Sequence, residues 1–94
     1  MPVDDTISRS FEITNIRGLH ARASAKFVKL VSDYDAEVEV EKDGMTVGGT
    51  SIMGLMMLAA SPGCCINVSA TGSQALEVMD ALQALIGDKF GEGE

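Results

Sequence analysis

The chain has 94 residues, a formal net charge of −7, no tryptophan and only four aromatic residues. That length suits one small domain, expected to span 1–94 with an ordered core at about 8–90. The acidic balance argues against nucleic acid and anionic membranes as partners. No apolar stretch approaches the ~20 residues of a membrane span.

The N-terminal "MPVDDTISRS" has no apolar run of the signal-peptide kind, so a cytoplasmic location is expected. "SRSFEI", Ser8 to Ile13, alternates as a strand with Phe11 and Ile13 inward. "TNIRG" breaks the pattern, and a helical period runs from about His20 to Tyr34. Ala23, Phe27, Leu30, Val31 and Tyr34 share one face; Arg22, Lys26 and Lys29 share another. "AEVEVE", Ala36 to Glu41, alternates strictly, with Val38 and Val40 inward and three glutamates toward water. The Asp-Gly pair in "KDG" signals a hairpin into "MTVGG".

"TSIMGLMMLAA", Thr50 to Ala60, is a short helix capped by Thr50 or Ser51 and ended by "SPG". Ile52, Leu55 and Ala59 are expected to face the core, leaving Met53, Met56 and Met57 partly outward. "CINVSATG" alternates again, with Ile66, Val68 and Ala70 on one face. Gln74 to about Phe90 is an amphipathic helix that buries Ala75, Val78, Met79, Leu82, Leu85 and Ile86. The closing "GEGE" is expected to fray. This order of elements suits an antiparallel sheet with all helices on one face, an α+β fold. The order is shared with ferredoxin-like folds and does not fix function.

Two residue groups invite chemistry. His20 is the one histidine, and four of the seven basic residues lie between Arg17 and Lys29, where no acid occurs from Asn15 to Ser32. The first N–H groups of a helix have no intrahelical partner and favour anions. Arg22, and Arg17 beside it, add donors suited to phosphate. An imidazole nitrogen placed there suits transient phosphorylation, with Gly18 letting the backbone turn closely. Otherwise the cations form an ordinary solvated helix face. The second group, "SIMGLMMLAA", cannot bury every apolar side chain in one short helix, so its methionines read as an adaptable docking patch rather than core filler. Cys64 and Cys65 are adjacent and read as free thiols. With one distant histidine they are a poor match to a zinc site, so no metal is expected.

"GLHARASAKFVKL" followed by "TSIMGLMML" resembles the HPr family, the histidine phosphocarriers of the bacterial phosphoenolpyruvate-dependent phosphotransferase system, over about Ser8 to Phe90. The resemblance implies an open-faced β-sandwich: a four-stranded antiparallel sheet of order 1-4-2-3 covered by three helices. It implies that His20 accepts a phosphoryl group on Nδ1 from an enzyme I-type donor and passes it to an enzyme IIA-type acceptor. Arg22 then stands beside the phosphate. Ser51 matches the serine modified by HPr kinase/phosphorylase, and Ala21, Ala25, Ile52, Met53 and Met56 fall on partner-docking positions. Ala23 replaces the usual proline of the motif, which restores an N–H that could reach the phosphate. Arg17 stands where many members carry a small polar residue. "EITNIRGLHARA", "YDAEVEVE" and "LMML" lean toward the nitrogen-related branch rather than the sugar-transport branch. Such a protein needs no cofactor of its own, works as a monomer, and is a relay intermediate rather than an independent enzyme. The rival reading is a small regulatory ligand-binding domain of ferredoxin-like element order. It expects a preformed pocket, whereas the carrier expects an open His20.

Overall fold

Residues 6–91 are described by the structure, a computed structural model. Strand β1 (Ile7–Glu12) leads to α1 (Ala21–Ser32), the hairpin β2 (Glu37–Lys42) and β3 (Met45–Gly48), α2 (Ile52–Met57), β4 (Cys65–Thr71) and α3 (Ala75–Gly87). A left-handed turn, Lys89–Gly91, follows, closed by the Gly91 amide on the Asp88 carbonyl at 2.9 Å. The four strands form one antiparallel sheet in the order β1-β4-β2-β3. This is the 1-4-2-3 architecture implied by the resemblance. The "GEGE" end beyond Gly91 and the first five residues of "MPVDDTISRS" lie outside the described residues.

The alternation of small apolar and polar residues builds the sheet. Val40 pairs with Val68 and Val47, Phe11 with Ile66, and Val38 with Ala70, all on the side that the helices cover. The opposite face is hydrophilic. Ser8 lies across from Ser69, their hydroxyls 3.1 Å apart, and Asn67 Nδ2 donates to Glu41 Oε1 at 2.7 Å. Glu41 Oε2 accepts a further bond from the Gly44 amide across the hairpin. The Asn67 bond first, and the Gly44 bond second, hold the Glu41 carboxyl below its usual pKa. Asp43 and Gly44 both take left-handed conformations (φ 53° and 84°), the two-residue geometry that matches strand twist and that the Asp-Gly pair signals.

On the covered face, α1 buries Ala23, Phe27 and Val31 at fourfold spacing, with Leu30 and Tyr34 partly buried beside them. Helix α3 buries Ala75, Val78, Met79, Leu82 and Ile86, with Leu85 at the margin. Arg9, on the covered side of β1, reaches α3 and donates to Asp80 Oδ1 and Gln83 Oε1, each at 2.9 Å.

Three expectations need correction. Helix α2 stops at Met57 rather than running to the Ser-Pro-Gly stretch, because Ala59 takes a left-handed conformation (φ 53°) that no helix continues. The shorter helix turns Leu55 and Leu58 inward, while Ile52 (41% exposed) and Ala59 face solvent. Helix α3 likewise ends at Gly87, and Lys89 and Phe90 adopt positive φ, which folds the fully buried Phe90 back under the core. Lys26 is not part of a solvated basic face: its Nζ donates to the Phe90 carbonyl at 2.6 Å.

Candidate functional site

His20 is the N-cap of α1. Its backbone is extended (φ −75°, ψ −176°), and its side chain makes no capping bond to the helix. The first intrahelical bond runs from the Ser24 amide to the His20 carbonyl at 2.9 Å. The amides of Ala21, Arg22 and Ala23 therefore precede the hydrogen-bonded ladder, at the positive end of a helix with no acidic residue in its first turn. His20 is half-buried, less open than the sequence suggested. The Ala23 side chain is fully buried in the core, so only its backbone N–H can serve the site.

The segment before His20 is tightly held. Gly18 has φ +61°, a conformation that favours glycine, and a Cβ built there would lie 2.1 Å from the Ala60 carbonyl oxygen. That carbonyl accepts the Leu19 amide at 2.9 Å. The 60–64 loop is tied down further by the Gly63 amide to the Ile13 carbonyl and the Ile13 amide to the Cys64 carbonyl, each at 2.8 Å. The loop after α2 is thus bonded to the loop that carries His20. Cys64 is a free, half-buried thiol whose pKa is lowered, mainly by its hydrogen bond with Ser61; Cys65 is free and exposed.

The remaining sequence-selected residues divide between α1 and α2, which pack against one another. Arg17, Ala21, Arg22 and Ala25 are exposed around the start of α1. On α2, Ile52, Met53, Met56 and Met57 are exposed by 41%, 74%, 44% and 63%. Ser51 is an exposed N-cap whose Oγ accepts the Gly54 amide at 2.9 Å. One exposed apolar residue near His20 was not foreseen. Ile16 is 64% exposed in the loop before it, and its place in an irregular loop gave no periodicity to mark it. Asn15 and Ser24 were also missed. Both are completely buried, and polar residues in a loop and on a helix carry no sequence signal of burial.

The family described as the PTS HPr component phosphorylation site matches residues 7–88. A phosphocarrier protein HPr from Neisseria meningitidis is 50% identical over 88 residues, covering 94% of this chain and 99% of that protein. A phosphocarrier protein NPr from Escherichia coli is 39% identical over 88 residues, covering 93% and 98%. The crystal structure of an HPr from Thermoanaerobacter tengcongensis superposes with a TM-score of 0.87 at 43% identity, covering 92% of this chain and 97% of that one. The chain therefore belongs to the HPr family of phosphocarriers of the phosphotransferase system, whose solved structures share its fold.

Proposed function

We propose that His20 is the phosphoryl acceptor and donor of the relay. An enzyme I-type protein, charged from phosphoenolpyruvate, presents a phosphohistidine. The lone pair of His20 Nδ1 attacks phosphorus, the donor N–P bond breaks, and the donor imidazole leaves with that electron pair. The same exchange, repeated against an enzyme IIA-type acceptor, returns His20 to its starting state. The observation that carries this reading is the placement of His20 beside the Ala21, Arg22 and Ala23 amides, which have no partner within the helix. These donors and the Arg22 guanidinium stabilise the charge that builds on the transferring group. Arg17, exposed three residues before His20, is a further phosphate contact.

Ala21, Ala25, Ile52, Met53 and Met56 form the surface that each partner covers in turn, and a monomer keeps that surface uncovered between partners. Ser51 is the site of regulatory phosphorylation by an HPr kinase/phosphorylase-type enzyme. The whole chain, 1–94, works as one cytoplasmic carrier without a cofactor of its own. The family match supports this relay over a small ligand-binding domain. Identity is higher to the HPr from Neisseria than to the NPr from Escherichia coli, which lends no support to the nitrogen-related branch.

The test is incubation with an enzyme I-type protein and phosphoenolpyruvate, followed by intact mass. One phosphate should be added and then lost in acid, as a phosphoramidate is. His20→Ala should stay folded and take no label; undiminished labelling of that variant would end the proposal.

A further inference from the structure

Among the described residues, two polar side chains are completely buried, Asn15 and Ser24. Both donate to the backbone just before His20. Asn15 Nδ2 bonds the Gly18 carbonyl at 2.9 Å, and Ser24 Oγ bonds the Leu19 carbonyl at 3.1 Å. The next carbonyl, that of His20, accepts the Ser24 amide at 2.9 Å. Three consecutive carbonyl oxygens, Gly18 to His20, are therefore each held by a donor from Asn15 or Ser24. The turn is closed a second time by the Gly18 amide on the Asn15 carbonyl at 3.1 Å.

A carbonyl oxygen carries partial negative charge, and one that swings toward a phosphoryl group opposes it electrostatically. Holding these oxygens against interior donors keeps them away from the anion and fixes the peptide units that lead into His20; the N–H groups of those units belong to Leu19, bonded to the Ala60 carbonyl, to His20, and to Ala21, the first of the α1 amides. Both bonds also serve folding, since a buried carbonyl left without a donor costs stability, so alignment and folding have to be read separately. Alanine is the better helix former at position 24, and burying a hydroxyl or amide brings no stability beyond the bonds it makes.

We propose that Asn15 and Ser24 are positioning residues for phosphoryl transfer, fixing the Gly18 and Leu19 carbonyls so that the His20 ring and the α1 amides face the phosphate. This rests on His20 being the acceptor. Neither residue touches the transferring group; they act through the orientation of the peptide units between them.

Ser24→Ala and Asn15→Ala are assayed with an enzyme I-type donor and phosphoenolpyruvate while the carrier concentration is varied. Circular dichroism at the assay temperature reports folding. Because the docking methionines are untouched, KM for the carrier should stay within about twofold while kcat falls about tenfold, the scale of a sub-ångström loss of alignment. Ser24→Ala removes one hydroxyl from a helix and carries the test if Asn15→Ala fails to fold. A folded Ser24→Ala with wild-type kcat overturns the proposal, whatever its melting temperature. So does a raised KM at unchanged kcat, which would assign the residues to docking. His20→Ala in the same assay separates the two claims. Label that persists there defeats the acceptor reading itself. Label lost there, with normal turnover in Ser24→Ala, defeats only the positioning role.

Discussion

Replacing Gly18 by alanine tests the junction on which the His20 loop depends. Two costs add at this position. Holding an alanine at φ +61° costs about 1–2 kcal/mol, because its Cβ crowds the following carbonyl. The same Cβ would lie 2.1 Å from the Ala60 oxygen, far inside contact distance, and the obstructing atom is backbone rather than a flexible side-chain end. Relief requires the 60–64 loop to move, which breaks or lengthens the 2.9 Å bond from the Leu19 amide, a further loss of about 1 kcal/mol. The sum is about 2–3 kcal/mol. For a domain of this size each kcal/mol moves the melting temperature by about 4–8 °C, so Gly18→Ala should melt roughly 8–24 °C lower. Gly63→Ala is the internal control. Its φ is also positive, at +90°, but no atom lies within 4 Å of the added Cβ. It should bear only the conformational cost, a drop of about 4–16 °C. Thermal unfolding followed by circular dichroism measures both. Equal shifts for the two variants would refute the reasoning, since they would show that the Ala60 carbonyl yields freely and does not brace the loop.

Arg22→Lys keeps the charge but loses the planar pair of donors, so phosphoryl transfer should slow about tenfold or more in a rapid-quench assay. Equal rates would remove Arg22 from the mechanism. Met53 is 74% exposed, so Met53→Glu should change unfolding free energy by no more than about 0.5 kcal/mol in urea titration while weakening binding to both donor and acceptor. A cooperative loss of structure would instead place Met53 in the core. Ser51→Ala removes the acceptor for the Gly54 amide and should cost about 1 kcal/mol, whereas Ser51→Asp can keep the cap and should stay near wild-type stability. If Ser51 is also a phosphorylation switch, Asp should weaken calorimetric binding to an enzyme I-type partner and Ala should not; equal binding would leave Ser51 as a cap alone.

The parts of this fold legible in the sequence are those where one side chain's chemistry repeats with the backbone period. Val38 and Val40 in "EVEVE", and Ile66, Val68 and Ala70 in β4, alternate because one sheet face is packed and the other is wet. Ala23, Phe27 and Val31 recur at fourfold spacing because α1 buries one stripe. The placement of His20 at the start of α1 was legible for another reason: the broken strand pattern gives way there to a helical period in an acid-free basic stretch. What escaped the reading depends on single residues acting out of type. Ala59, Lys89 and Phe90 take left-handed conformations usually left to glycine, so the helix ends they create carry no stop signal. The shortened α2 then rotates Ile52 outward and Leu58 inward. Lys26 reads as a surface cation until the chain end folds back and places the Phe90 carbonyl within 2.6 Å of it.

These unread features bear on the site because they set what the loop around His20 can do. A residue such as Ala59 in a left-handed conformation gives up roughly 1–2 kcal/mol, and the surrounding structure must make that conformation worthwhile. Here the turn it creates brings the Ala60 carbonyl to the Leu19 amide and the Gly63 amide to the Ile13 carbonyl. The end of α2, which bears the exposed methionines, is thereby bonded to the segment that bears His20. A partner that seats on Met53 and Met56 would press on a helix whose C-terminal turn is fastened one residue before His20, the proposed acceptor. The proposed docking patch and the proposed acceptor thus share one short frame of backbone hydrogen bonds. A substitution such as Gly18→Ala that loosens the frame should therefore disturb transfer even where neither the methionines nor His20 is altered.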